Sequence, residues 1–341
     1  MMFDYIIQKL VEDSGQLFPD NGKIAVSTAS VLKVQGSSRK NGSVSFLGFI
    51  NDESSPRLFV RVPRNPGDDS RLQLETDALI ELHHLLRNTR LENSVPRVIL
   101  IDNRDGKKVV WQSVARGRTL IHLIKSSLSM KKQVKRFLPL SLQWLLDFHQ
   151  ISNAGLRVID DAFIDEHVRQ PLGEFKTAVL NDVDFEHVIE GLEKFKNQSI
   201  PLTAIHGDFN PHNLMFSEES GITVIDWETY SPKNIPLLDL LHLVIATCIY
   251  LPRQPDYPGE GITRFFLKKN WYHHFAANLI QNYCDKMQVN VELAYAYIPV
   301  YLAKMALQEI AFNKEDIHEI EVWRNAMRDY FRAGNGLACE V

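Results

Sequence analysis

Two short stretches concentrate side chains that could do chemistry together: Ile205-His-Gly-Asp-Phe-Asn-Pro-His-Asn-Leu-Met-Phe and Ile222-Thr-Val-Ile-Asp-Trp-Glu. A lone His-Gly-Asp tripeptide says little, because Gly-Asp is a frequent turn. The combination says more. Asn213 offers an amide oxygen and Asp226 a carboxylate, hard ligands of the kind Mg2+ accepts while keeping waters and taking substrate phosphates. Asp208 shares a loop with Asn213. From there it could accept the proton of an attacking hydroxyl and hold that oxygen in line with a phosphate, which is most of what phosphoryl transfer requires.

These groups need a loop followed by a hairpin. Gly207 and Pro211 shape the loop, and Leu214-Met-Phe and Ile222-Thr-Val-Ile alternate as paired strands around the Gly-containing turn Ser217-Glu-Glu-Ser-Gly. That hairpin is predicted to bring Asn213 and Asp226 together.

Further out, the front of the chain reads as sheet and the back as helix. Ser30-Val-Leu-Lys-Val, Ser43-Val-Ser-Phe-Leu-Gly-Phe-Ile and Arg57-Leu-Phe-Val-Arg-Val predict a three-stranded antiparallel meander. A helix is predicted over Asp68 to Arg90, then strands Arg97-Val-Ile-Leu-Ile and Val109-Val-Trp-Gln-Ser-Val around Asn103-Arg-Asp-Gly, with the sheet ending near residue 114. Helical spacing dominates afterwards, over Gln133 to Gln150, Ile159 to Asn197, Phe265 to Lys286, Val291 to Phe312 and Ile317 to Ala333.

The 341 residues suit two lobes, each with its own core, and a net charge of -4 with 23% charged residues gives no nucleic-acid footprint. Met1 to Leu17 reads as an amphipathic helix rather than a signal peptide, since Asp4, Glu12 and Asp13 interrupt it. The most apolar segment, Ile235 to Leu251, contains Asp239 and His242, which a bilayer would penalise, so a buried core helix is expected and no membrane partner. Within so apolar a segment Asp239 is expected to be buried and satisfied. Cys248, Cys284 and Cys339 show neither disulfide nor zinc spacing, which fits a cytoplasmic setting.

His206-Gly-Asp208 with Asn213, followed by Ile225-Asp226-Trp-Glu228, resembles the catalytic and metal-binding motifs of the aminoglycoside phosphotransferase and choline kinase-like family. The order repeats that of protein kinases. The resemblance implies a two-lobed α+β, protein kinase-like fold, with a nucleotide-binding lobe over residues 1–114 and a helical catalytic and substrate lobe over 115–341. It implies Mg2+ as cofactor, ATP or GTP as co-substrate, Asp208 as base, and Asn213 and Asp226 as metal ligands. On the nucleotide side it implies a pair between Glu75 and Arg61, a hinge from Trp111 to Val114 including Gln112, and phosphate cover from Ser37, Ser38 or Lys40. Asp239 would brace the catalytic loop, and His206 would support it structurally.

Two positions depart from the family pattern. Arg61 stands where lysine is usual, with a planar fork in place of a point charge. The loop Gln35-Gly-Ser-Ser-Arg-Lys-Asn-Gly42 matches neither the protein-kinase glycine pattern nor the P-loop. Asn210 in place of a lysine two positions after the base, and the lack of an Ala-Pro-Glu signature after Glu228, point away from protein substrates. The expected function is a small-molecule kinase acting on a hydroxyl of a sugar, amino alcohol or related metabolite. The alternative is a nucleotide-binding pseudokinase acting as scaffold or sensor. Glu228 is read either as a third metal contact or substrate anchor, or as a bystander.

Overall fold

Period-two alternation in the front of the chain becomes a five-stranded antiparallel sheet in the order β1-β2-β3-β5-β4. The strands are β1 (Ala29–Val34), β2 (Ser43–Ile50), β3 (Leu58–Pro63), β4 (Val98–Arg104) and β5 (Lys107–Ser113). This is a computed structural model describing residues 2–18, 26–34, 42–67, 69–180, 183–251, 260–312 and 317–332. The chain divides into two compact units, Met1–Arg118 with Met215–Tyr230, and Thr119–Leu214 with Ser231–Val341.

In the first unit, Leu58, Val60 and Val62 of β3 join Phe46, Ile50, Val109 and Trp111 in one core. Helix α1 (Met2–Glu12) adds Ile6 and Leu10 to it. Gly48 lets the helix approach: a Cβ there would lie 3.2 Å from Leu10 Cδ1. Tyr5 donates to Asp102, and Lys9 lies 3.0 Å from the same carboxylate, tying α1 to β4. Because successive side chains alternate faces, Arg61 points away from the core that Val60 enters. Helix α2 (Ser70–Leu85) buries Leu72, Glu75, Leu79 and Leu82, so Glu75 sits within an otherwise apolar stripe. The helix stops short of Arg90, and Asn88 follows in a left-handed conformation (φ 61°) that helical backbone cannot include.

The second unit is mainly helical, with α3 (Met130–Ile151), α4 (Leu237–Tyr250), α5 (Trp271–Met287), α6 (Ile298–Phe312) and α7 (Ile317–Arg332). Residues 237–248 of α4 are all buried, as an all-round apolar helix requires. Among the described residues no helix is long and apolar enough to cross a membrane. Cys248 and Cys284 are free and buried, while Cys339 lies outside the described residues.

The continuous helix expected from Ile159 to Asn197 is broken into short helices at Asp161–Ile164, Gln170–Ala178 and Glu186–Glu193, with a π turn over Asp165–Arg169. Pro171 has no N–H to offer the His167 carbonyl one turn back. That carbonyl instead accepts from the Tyr297 hydroxyl at 3.2 Å. Helix α5 begins at Trp271 rather than Phe265 because Asn270 caps it, its side chain accepting from Tyr272 N and His273 N.

Candidate active site

The catalytic-type loop leaves strand β6 (Thr203–Ile205) and is tied down from α4. The Asp239 carboxylate accepts from His206 N at 2.6 Å and Gly207 N at 2.9 Å. It sits in the first turn of α4, where the helix dipole favours an anion. His149 Nε2 lies 3.5 Å from Asp239, and His149 Nδ1 pairs with the Tyr283 hydroxyl. Gly207 takes φ 81°, a turn that side chains resist, and Phe209 is fully buried, stacked on Trp144 at 5.5 Å.

Two amides of the loop and a histidine of α4 converge on the Asp208 carboxylate. Asn210 Nδ2 donates to Oδ1 at 2.7 Å, Asn213 Nδ2 donates to Oδ2 at 2.8 Å and to the Asp208 carbonyl at 2.9 Å, and His242 Nε2 lies 2.9 Å from Oδ1. A carboxylate only accepts, so His242 Nε2 carries a proton. Its Nδ1 meets the Tyr301 hydroxyl at 2.8 Å, and Trp323 packs against both rings. Burial pushes the Asp208 carboxyl up, but the His242 hydrogen bond and charge, with the Asn210 hydrogen bond, overcome it and hold the group below its ordinary value. The loop thus presents a charged carboxylate.

His206 is fully buried, and its Nδ1 accepts from Asp208 N at 3.1 Å. A ring nitrogen that accepts a backbone N–H is unprotonated, so this histidine shapes the loop rather than delivering a proton from that atom. The Asn213 amide is oriented by the same logic. Its NH2 faces two acceptors of Asp208, which turns Oδ1 outward as an available oxygen donor.

Asp226 follows the hairpin of β7 (Leu214–Ser217) and β8 (Gly221–Val224). Its backbone holds φ 67°, a conformation a non-glycine residue keeps only when its surroundings enforce it. The enforcement is visible on both sides. Trp227 is fully buried with Nε1 donating to Val224 O at 2.9 Å, and Tyr230 donates to Glu81 Oε1 at 3.0 Å. Arg71 of α2 grips Glu228 with both arms of its fork, Nε to Oε2 at 2.9 Å and Nη2 to Oε1. Glu228 is pushed above its ordinary value by burial and by Asp226, with Arg71 opposing. With both oxygens engaged, Glu228 acts as a brace for the turn. Among the described residues the Asp226 carboxylate itself has no hydrogen-bond partner, which leaves it open for a cation.

Arg61 and Glu75 form an ion pair in which Arg61 is 17% and Glu75 4% exposed, few enough to make it a buried pair. Arg61 Nε and Nη2 also donate to Ser43 Oγ at 3.1 and 3.0 Å. Burial draws the Arg61 guanidinium down, while Asp226 and Glu228 oppose this, so the arginine stands in the field of both acidic groups. Gln112 of β5 is buried and, among the described residues, its Nε2 has no partner, and Val114 follows the strand half-buried. Ser37, Ser38 and Lys40 lie outside the described residues.

Removing one member of a buried pair leaves the other unpaired, a loss of about 3–5 kcal/mol. Glu75→Leu alone is therefore expected to lower stability by roughly that amount, and Arg61→Met with Glu75→Leu by much less. Chemical denaturation of the two single variants and the double variant checks this, and equal losses in all would show that the pair does not couple.

The sequence model of the phosphotransferase enzyme family matches residues 41–264, which take in the β2–β5 sheet, the Asp208 loop, the Asp226 turn and the bracing Asp239. The chain belongs to the phosphotransferase enzyme family. No curated protein sequence matches it. Among solved structures this phosphotransferase is similar to the choline kinase LicA from Streptococcus pneumoniae, at 17% identity and a TM-score of 0.52, covering 98% of this chain and 99% of that one. The AMP complex of LicA gives 17% identity and a TM-score of 0.50, covering 98% of each chain. The aminoglycoside phosphotransferase APH(3'')-Id from Streptomyces rimosus ATCC10970, in complex with ADP and streptomycin, gives 10% identity and a TM-score of 0.45, covering 87% of this chain and 98% of that one. At such identities the LicA likeness is one of fold, and the phosphotransferase has the α+β protein kinase-like architecture expected from sequence.

Sequence reasoning did not give roles to Arg71, His242 and Tyr301. Arg71 lies one turn before Glu75 on the same helix, and that spacing was the available signal. His242 stands three residues after Asp239, so both meet the loop from one face of α4.

Proposed function

We propose that this phosphotransferase moves the terminal phosphate of ATP or GTP, with Mg2+, onto a hydroxyl of a small molecule, a sugar, amino alcohol or related metabolite. The observation that carries this is the occupancy of the Asp208 carboxylate. Among the described residues Oδ1 already takes His242 and Asn210, whereas Oδ2 takes only Asn213, and each carboxylate oxygen can accept about two hydrogen bonds. The acceptor hydroxyl is assigned to the remaining position on Oδ2. Asp208 holds the hydroxyl oxygen in line, then takes its proton as the new O–P bond forms and the bond to the nucleoside diphosphate breaks. A base held below its ordinary value takes the proton late, which suits a loose transition state in which positioning dominates.

Asn213 Oδ1 and the Asp226 carboxylate would hold Mg2+, whose chemistry is to offset charge on the phosphate oxygens. The outward amide oxygen and the unpartnered carboxylate fit hard-oxygen coordination. In this reading residues 1–114 bind the nucleotide, Arg61 orients its phosphates from the pair with Glu75, and Gln112 and Val114 meet the base. The buried orphan amide of Gln112 supports that placement. Residues 115–341 carry the base and the acceptor, and the two buried free thiols suit a cytoplasmic setting.

A screen of hydroxylated metabolites with ATP, GTP and Mg2+, read as nucleoside diphosphate release, tests the proposal. Turnover is expected with at least one alcohol, dependent on Mg2+ and lost on chelation. Thermal stabilisation by nucleotide and Mg2+ without turnover of any acceptor would favour a nucleotide-binding scaffold.

A further inference from the structure

A cleft of 480 Å³ lies within the second unit, between the helix Glu186–Glu193, the short helix Val291–Ala296 and α7. Small-molecule sites span about 300–1,000 Å³, so the space suits one ring with its substituents. No residue of the Asp208 loop lines it, nor do His242, Tyr301 or Trp323. Tyr330, which does line it, stands two turns beyond Trp323 on α7, about 10 Å along the axis. The cleft is a place of its own, apart from the base.

Its floor is apolar but holds two hydroxyls. Val188 and Phe195 line it from one side, and Tyr295 and Tyr330, 5% and 7% exposed, from the other helices. Among the described residues neither tyrosine hydroxyl has a hydrogen-bond partner. Burial pushes both phenols up to about 12, with Cys284 adding to the shift at Tyr295, so both keep their protons. A buried tyrosine O–H ordinarily finds an acceptor, and here the open side is the cleft.

The rim is exposed and carries both signs of charge. Lys194 follows the first helix and Glu292 stands on the facing one, and among the described residues neither makes an ion pair. His187 also lines the rim, its ring edge-on to Phe331. Between the walls lies Gly191, inside a helix, where glycine is less favourable than alanine. No close neighbour requires it, since a Cβ there would meet nothing within 4 Å. What the glycine provides is room in the cleft.

We propose that this cleft binds a small aromatic zwitterion, of the class of an aromatic α-amino acid whose ring carries an oxygen. The ring fills the space beside Gly191, and its oxygen accepts from the Tyr295 and Tyr330 hydroxyls. The carboxylate and ammonium meet Lys194 and Glu292 at the rim. The assignment rests on the cleft alone and is independent of Asp208 being the base.

The test is calorimetric titration of the full chain, without nucleotide, using L-tyrosine, L-phenylalanine, tyramine and 3-(4-hydroxyphenyl)propanoate. L-Tyrosine is expected to bind most tightly. L-Phenylalanine lacks the ring oxygen and should bind roughly two- to tenfold more weakly, the range for one neutral hydrogen bond. Tyramine and the propanoate each lack one rim charge and should bind roughly two- to fivefold more weakly, as exposed ion pairs contribute little. Gly191→Leu should abolish binding by filling the space. Tyr295→Phe combined with Tyr330→Phe should erase the preference for L-tyrosine over L-phenylalanine, and this variant decides the matter if Gly191→Leu does not fold. No binding of L-tyrosine up to its solubility, equal affinity for all four compounds, or binding that both variants leave unchanged would overturn the assignment.

Discussion

Asp208→Asn is expected to slow phosphoryl transfer by roughly 10²- to 10⁴-fold, the range for loss of a general base. Nucleotide affinity should stay close to that of the unaltered chain. The substitution keeps the shape of the side chain but replaces one acceptor oxygen with a donor. Three donors face that carboxylate, from His242, Asn210 and Asn213, so one of them must lose its partner. The new NH2 is least unfavourable at the Oδ2 position, where, among the described residues, only Asn213 donates. Asn213 would then be driven to turn its own oxygen inward, away from the assigned cation. Two effects are therefore expected from one substitution: a fall in kcat, and a rise in the Mg2+ concentration needed for half-maximal rate. Steady-state kinetics across a magnesium series measures both. His242→Gln should cost about tenfold in kcat with little change in KM, since it loosens Oδ1 without touching the oxygen assigned to the acceptor. A rate unchanged in Asp208→Asn would remove Asp208 from the base position altogether.

Phosphoryl transfer was legible in the sequence because its main groups lie close along the chain. Asp208, Asn210 and Asn213 share one loop, where spacing alone constrains what can touch. The sheet was legible through alternation, as in Leu58, Val60 and Val62 against Phe59 and Arg61, and α4 through its continuous apolar run. Contacts between distant segments left no such trace. Arg71 and Glu228 stand 157 residues apart, and Asp208 and His242 stand 34 apart. Which face of α2 or α4 meets which turn depends on helix rotation, and a one-residue change would point either side chain elsewhere. The π turn was hidden for a related reason. Its apolar spacing imitates a helix, and the proline that interrupts it acts through a carbonyl whose partner, Tyr297, lies far along the chain. Asn270 was a local signal, since asparagine before an aromatic run is a common cap, but the apolar Phe265 and Phe266 extend the pattern past it.

Asp239→Ala is expected to be the most destabilising single change near the site. Its carboxylate is fully buried and accepts from two backbone N–H groups that have no water to turn to, with His149 behind them. Bonds to a charged acceptor contribute about 1.5–3 kcal/mol each, so losing both should cost roughly 3–6 kcal/mol. For a unit of this size that corresponds to a fall in Tm of roughly 6–24 °C. Asp239→Asn should fall between, because its carbonyl oxygen can still accept while its NH2 faces a donor. Loss of the brace should also free Gly207 from its left-handed turn, and with it the direction of Asp208. Activity measured well below the lowered Tm is therefore expected to drop in both variants, more in the alanine. Amide hydrogen exchange separates the brace from general destabilisation. His206 N–H and Gly207 N–H should be strongly protected in the unaltered chain and should exchange faster in Asp239→Asn by more than amides elsewhere in the second unit. A uniform rise across that unit would mean that Asp239 stabilises the core without fixing the loop, and Asp208 would then owe its orientation to His242 and the two asparagines alone.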